Sequence, residues 1–228
     1  RAGVPTALSQ YCRSVQDVMD FVQRNAGKTV VAKKSGLAAG KGVLESDKPD
    51  EIKQFAKHVI EEEQDTIVME SYLVGYELSI FAILDGQDYI LLPACADHKK
   101  AFEGNKGPNT GGMGAVCPIP SADSKLFGVI EDTIIQPTIS QMKKEQLMYC
   151  GVLFFGIMVT GEGPKLLEYN VRFGDPETQS LLPLLNCDIA DLFEAAVTHS
   201  IKGFHCEFAD KTAVGITIAA PGYPGAYE

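Results

Sequence analysis

Two rhythms of apolar and polar positions run along the chain. After Ser14, the apolar residues Val15, Val18, Met19 and Val22 recur at helical spacing, and Asp17 falls in the first turn, where the helix dipole favours a carboxylate. Ile52, Phe55, Ala56, Val59 and Ile60 mark one face of a second helix, with Asp47 or Asp50 as the expected cap. Residues 29–33 and 66–70 read as strands, so the first 70 residues or so predict a small α+β unit. The rhythm then shortens. Residues 77–84 and 88–94 flank Asp85-Gly86-Gln87, and Asp-Gly between apolar runs signals a hairpin. A second hairpin is predicted from 151–160 and 165–171 around Gly161-Glu162-Gly163. Between the hairpins we expect a long glycine-rich loop over 97–114, and a helix from Lys125 to about Leu147 with Leu126, Val129, Ile130 and Ile134 on its apolar face. Pro137 should kink that helix. Asp188 is placed to cap a helix running to His199, and 212–219 reads as a last strand.

Composition narrows the partners. Twenty Lys+Arg against thirty Asp+Glu give a net charge of −10, which argues against nucleic acid or an anionic membrane as the main partner. It leaves room for a local basic site. No apolar run approaches the ~18 residues that span a bilayer. The 228 residues are enough for one or two domains. Cys12, Cys95, Cys117, Cys150, Cys187 and Cys206 are scattered without a C-x-x-C pair, so they read as reduced, mostly buried thiols of a cytoplasmic protein.

Three segments carry candidate chemistry. The first, VVAKKSGLAAGKGV, has glycines that let the backbone approach a ligand and lysines, Lys33 and Lys41, that can neutralise phosphate. It is neither a Walker A loop nor a dinucleotide fingerprint, and alone it also reads as a flexible hairpin with solvated lysines. The second is Glu168-Tyr169-Asn170. Period-2 alternation puts Glu168 and Asn170 on one face, about 7 Å apart. Two oxygen ligands so placed suit Mg²⁺, which keeps several water or phosphate ligands. Arg172 follows on the same side and can clamp a phosphate or carboxylate. An isolated E-x-N would more simply be the solvated side of a sheet, but RFGDPE follows it directly. The third segment, DHKKAFEGNKGPNTGGMGA, offers backbone and hydroxyl donors to an anionic substrate, or is a surface loop. His58, His199 and His205 read as surface or structural residues.

Taken together, SGLAAGKGV, ESYLVGYE, DHKK…KGPNTGGMGA and LLEYNVRFGDPETQ resemble the ATP-grasp part of the glycinamide ribonucleotide synthetase (phosphoribosylamine–glycine ligase) family, in the family's order and over nearly the whole chain. The resemblance implies an α+β ATP-grasp fold of two lobes enclosing the nucleotide: a small lobe over 1–72, a catalytic lobe over 73–203, and from 204 the start of a C-terminal domain, with an N-terminal domain preceding Arg1. It implies ATP- and Mg²⁺- (or Mn²⁺-) dependent joining of glycine to 5-phosphoribosylamine through glycyl phosphate. In this family's pattern, Lys33, Gly36, Gly40, Lys41 and Gly42 hold the phosphates. Glu70, Ser71, Tyr72 and Leu73 meet the adenine, and Glu77 binds the ribose. Glu168 and Asn170 ligate the metal, and Arg172 and Lys99 act on the transferring group. Asp97, Asn109, Thr110, Gly111, Gly112 and Asp175 face the acceptor substrates. The stretch from Val43 to Glu70 departs from the family by its shortness and by lacking a Phe-Gly loop. Alternatives are an ATP-binding fragment inactive alone, or another ATP-grasp carboxylate–amine ligase. The resemblance also allows fusion to other purine-pathway domains, and leaves the oligomeric state open.

Overall fold

The computed structural model describes residues 2–36 and 42–225. They form two compact units, one comprising Thr6–Val74 and the other Gly75 onward together with residues 2–5.

The first unit contains β1 (Ser9–Cys12), α1 (Val15–Arg24), β2 (Val30–Lys34), β3 (Val43–Ser46), α2 (Pro49–Lys57) and β4 (Ile67–Ser71). Its antiparallel strands lie in the order β1-β4-β2-β3. Ser14 caps α1 reciprocally: its side chain accepts from Asp17 N, and the Asp17 carboxylate accepts from Ser14 N. Neither Asp47 nor Asp50 caps α2. Lys48 occupies that position without a side-chain capping bond, Pro49 starts the helix with its φ already set, and Asp50 and Glu51 lie in the first turn. Alternation buries Val30, Ala32, Ile67 and Met69 against Val18, Phe21, Val22, Ile52 and Ala56 of the helices. It therefore turns Lys33 and Glu70 to the opposite face of the sheet.

The second unit is built on β5 (Gly75–Asp85), β6 (Tyr89–Leu91), β7 (Ala96–Asp97), β8 (Lys100–Phe102), β9 (Lys106–Asn109), β10 (Gly114–Cys117), β11 (Cys150–Thr160), β12 (Gly163–Asn170) and β13 (Ala213–Ile216). Helices α3 (Ser124–Ile130), α4 (Gln136–Lys144), α5 (Glu177–Leu181) and α6 (Ile189–Val197) complete it. Its main sheet runs β12-β11-β5-β6, and both predicted hairpins are present. Leu78 to Asp85 is buried without interruption, because both faces of β5 are covered. Leu78, Ile80, Ala82 and Phe155 pack against Ile130, Ile134, Ile135 and Ile139 on one face. Phe81, Ile83 and Phe154 pack against Leu181, Leu192 and Ala196 on the other. Only Gly75 to Glu77 of β5 emerge from this double cover.

Four further expectations change. The loop expected over 97–114 contains the β8–β9 hairpin. The helix expected to Leu147 ends at Lys144 and is broken by a π turn over Glu131–Ile135, which ends two residues before Pro137, whose missing N–H leaves the local ladder free to widen. The last strand covers Ala213–Ile216, and it pairs with β10 in a sheet of order β13-β10-β7. Cys12, Cys95 and Cys117 are buried, but Cys150 is exposed and Cys187 and Cys206 are half-buried, so the thiols are not mostly interior.

Candidate active site

Register gathers the candidate chemistry of the second unit on one face of the main sheet. Glu168 of β12 lies opposite Gly156 of β11, which lies opposite Ser79 of β5. Two residues along, Met158 lies opposite Glu77. Glu77, Ser79, Gly156 and Glu168 therefore share a face with Phe81 and Phe154, with Ser79 and Gly156 buried and Glu77 and Glu168 exposed where the helical cover ends. Gly156 supplies the room: a Cβ there would stand 3.0 Å from Glu168 Cγ. Asn170 Nδ2 donates to Glu168 Oε1 at 3.2 Å, so the two expected metal ligands do face the same way. Arg172 lies beyond the strand end, exposed, with Nη1 donating to Phe173 O.

Lys99 and Asp97 arrive from the β7 sheet. Lys99 Nζ lies 3.0 Å from Glu77 Oε2 and 3.9 Å from Asp97 Oδ2. Burial works to lower the Lys99 pKa, but the charges of Glu77, Asp97 and Glu168 outweigh it and raise the pKa. Asp97 is the opposite case. Its side chain is only 6% exposed, and Oδ1 is buried without a hydrogen-bond partner. Burial, and then the charge of Glu177, push this carboxyl up to about 7 against the pull of Lys99.

Glu177 is a member of this group that sequence reasoning missed. It opens α5, is buried, and accepts from Ser79 Oγ at 2.8 Å through Oε1. A Cβ at Gly174 would come within 2.4 Å of its Oε2, so the RFGDPE turn is shaped around this carboxylate. The segment was conspicuous in the sequence, but an acid in a first helical turn reads by default as dipole compensation. Asp175, the residue singled out there, is exposed and accepts from Gln179 Nε2.

The Asn109-Thr110-Gly111-Gly112 turn is tightly held. Thr110 donates to Lys99 O through both N and Oγ1, Gly112 N donates to Thr110 Oγ1, and Gly111 N donates to the Tyr223 hydroxyl. Gly112 has φ +124°, and a Cβ there would lie 2.2 Å from Pro176 Cδ. We expect Gly112→Ala to cost about 2–4 kcal/mol, read as a lowered urea midpoint. Gly128→Ala, inside α3 with nothing beyond its chain neighbours and its own helix backbone within 4 Å of the added methyl, should instead raise the midpoint slightly, by about 0.5–1 kcal/mol.

In the first unit, Lys33 Nζ and Glu70 Oε2 are 2.8 Å apart, a diagonal pair across β2 and β4. Lys34 N donates to Gly42 O and Gly36 N to Asp65 Oδ2, which pins both flanks of the glycine-rich segment. Gly40 and Lys41 lie outside the described residues. Ser71 Oγ accepts from Leu8 N, and Tyr72 is exposed. A cavity of about 380 Å³ on the helical side of this unit, lined by Met19, Val22, Lys28 and Ile52 among others, includes none of the expected site residues.

The donor set fits a hard divalent cation. Glu168 and the Asn170 side chain offer two oxygens from one rigid strand once the amide turns its oxygen outward, and Mg²⁺ needs few protein ligands. Among the described residues no group of three or more His, Cys, Asp or Glu is arranged to hold a metal by itself. No helix among them is long and apolar enough to cross a membrane.

Solved structures share this fold at low identity. N5-carboxyaminoimidazole synthetase from Staphylococcus aureus, complexed with ADP, superposes with a TM-score of 0.66 at 14% identity, covering 93% of this chain and 51% of its own. Biotin carboxylase from Campylobacter jejuni does so at 0.70 and 16%, covering 94% and 47%. The fold is the α+β ATP-grasp fold. The crystal structure of phosphoribosylamine–glycine ligase from Thermotoga maritima is nearer, with a TM-score of 0.82 and 34% identity over all of this chain and 58% of that one. The phosphoribosylglycinamide synthetase ATP-grasp (A) domain model matches residues 1–178, and the chain belongs to that family. Phosphoribosylamine–glycine ligase from Caldanaerobacter subterraneus is 40% identical over 99% of this chain and 55% of its own length. A bifunctional purine biosynthetic protein from Schizosaccharomyces pombe is 41% identical over 100% of this chain and 29% of its own. The chain thus spans about half the length, or less, of the curated relatives it matches.

Proposed function

We propose that this chain is the ATP-grasp part of a ligase that joins glycine to 5-phosphoribosylamine, giving glycinamide ribonucleotide, ADP and phosphate. The observation that carries the reading is the grouping of Glu77, Glu168 and Asn170 on one sheet face with Lys99 and Asp97 brought against Glu77, in a chain of this family. The glycine carboxylate attacks the γ-phosphorus of ATP and ADP leaves. The amine of phosphoribosylamine then attacks the acyl carbon, phosphate leaves, and the amine sheds a proton. Glu168 and Asn170 would hold Mg²⁺ or Mn²⁺, which supplies charge neutralisation at the phosphates.

The remaining work falls to the chain's own groups. Lys33, Gly36, Gly40, Lys41 and Gly42 contact the ATP phosphates. Residues 70–73 bind the adenine, and Glu77 the ribose. Lys99 and Arg172 stabilise charge on the transferring group. Asp97, Asn109 to Gly112 and Asp175 orient the acceptor substrates, and a carboxyl poised near pH 7 suits Asp97 to taking up the proton. On this reading Thr6–Val74 is the nucleotide-covering lobe, the unit from Gly75 onward is the catalytic lobe, and the protein acts in the cytoplasm. Fusion to further purine-pathway activities, indicated by the names of the fungal and human relatives, is open to this protein too.

Phosphate release measured with each substrate omitted in turn tests the proposal. We expect release only with ATP, a divalent cation, glycine and phosphoribosylamine together. Equal turnover with another carboxylate or amine would refute the substrate assignment. Calorimetric ATP binding without any turnover would show a nucleotide-binding fragment that does not work alone.

A further inference from the structure

Cys187 and Cys206 lie 19 residues apart in sequence, on either side of α6, and meet in space. Leu185 and Phe208 form an antiparallel bridge, flanked by bonds from Asn186 N to Glu207 O at 3.0 Å and from Ala209 N to Leu184 O at 2.8 Å. Those two bonds make 185/208 a non-hydrogen-bonded pair, the kind in which facing Cα atoms stand about 4.5 Å apart with side chains on one side. Carried on by two residues, the same alternation puts Cys187 opposite Cys206. Their Sγ atoms are 2.9 Å apart, and both residues are half-buried. A disulfide needs Cα atoms roughly 4.4–6.8 Å apart, a range that includes the spacing of facing residues in such a pair.

We propose that Cys187 and Cys206 are a thiol modification site, converted by a small-molecule disulfide to a reversible intrachain disulfide. The exchange balances: a Cys187 thiolate attacks one sulfur of the oxidant and expels one small thiol, Cys206 sulfur then displaces the second, and two thiols become one disulfide while the oxidant is reduced to two thiols. Burial and the neighbouring Cys187 push the Cys206 thiol up. The bond would close a loop around α6, whose Leu192 and Ala196 pack beneath β5 and β11. It would also tie the segment leaving α5, which carries Glu177, to the segment entering β13.

The test is oxidation of the full chain with glutathione disulfide, alkylation, and mass spectrometry of unreduced peptides. Exposed Cys150 reports that the oxidant has acted, by forming a mixed disulfide. We expect a Cys187–Cys206 cross-linked peptide two hydrogens lighter than the two thiol peptides, reversed by dithiothreitol. We also expect a Tm rise of roughly 5–10 °C, as for a closed loop of some 20 residues. Cys187→Ser and Cys206→Ser should show neither. Mixed disulfides without the cross-link, or the same Tm rise in either serine variant, would overturn the proposal.

Discussion

Glu168→Gln should leave the protein folded and lower the rate of cation-dependent ADP formation by about 10³-fold. The carboxylate lies exposed on the sheet face and accepts from the Asn170 amide, so the substitution removes a negative charge without opening a cavity. Surface changes of that kind shift stability by about 0.5 kcal/mol or less. Glutamine keeps the length and one oxygen. What it removes is the charge that draws a hard dication to that oxygen. The deficit should narrow at high cation concentration, because the lost contribution is to cation affinity. Turnover and cation dependence both equal to wild type would remove Glu168 from the metal role. A fall in the urea midpoint matching the fall in rate would show that the residue serves the scaffold instead.

The sheet face around Glu168 was legible in advance because strand periodicity is a local property. One turn signal and the alternation of LLEYN are enough to put Glu168 and Asn170 on one side. The same holds for α1, where the Ser14–Asp17 reciprocity is written in four residues. The meeting of Lys99 with Glu77 was not legible, since it depends on pairing between segments more than twenty residues apart. Nor was the β8–β9 hairpin, whose KGPN strand has no apolar alternation and is exposed throughout. Lys48 at the start of α2 offers no side-chain cap, and only Pro49 behind it marks the boundary. Glu177 shows the same limit at the site itself. Its burial and its bond to Ser79, 98 positions away, turn an ordinary first-turn acid into part of the cluster that shifts Asp97.

That shift gives Asp97→Asn two effects of opposite sign. The folded carboxyl holds its proton up to about pH 7, because burial and the charge of Glu177 oppose ionisation. An unfolded aspartate releases its proton near pH ~4. Between those values the folded state binds more protons, so wild-type stability should fall as pH rises, by up to about 1.4 kcal/mol per pH unit. Below the window both states are neutral and there is no penalty; above pH 7 the penalty is complete. Asparagine carries no charge at any pH, so the variant's urea midpoint should match wild type near pH 4, pull ahead through the window, and stay ahead at pH 8. Activity should move the other way. On the proposed mechanism kcat falls by about 10²–10⁴-fold, and the acid limb of the rate profile, set by Asp97 ionising near 7, disappears. A protein that keeps a destabilising buried acid whose removal stabilises the fold and silences turnover is using that acid for chemistry. If Asp97→Asn lowers the midpoint at pH 8 as well as the rate, the carboxylate is structural and the proton belongs to another group.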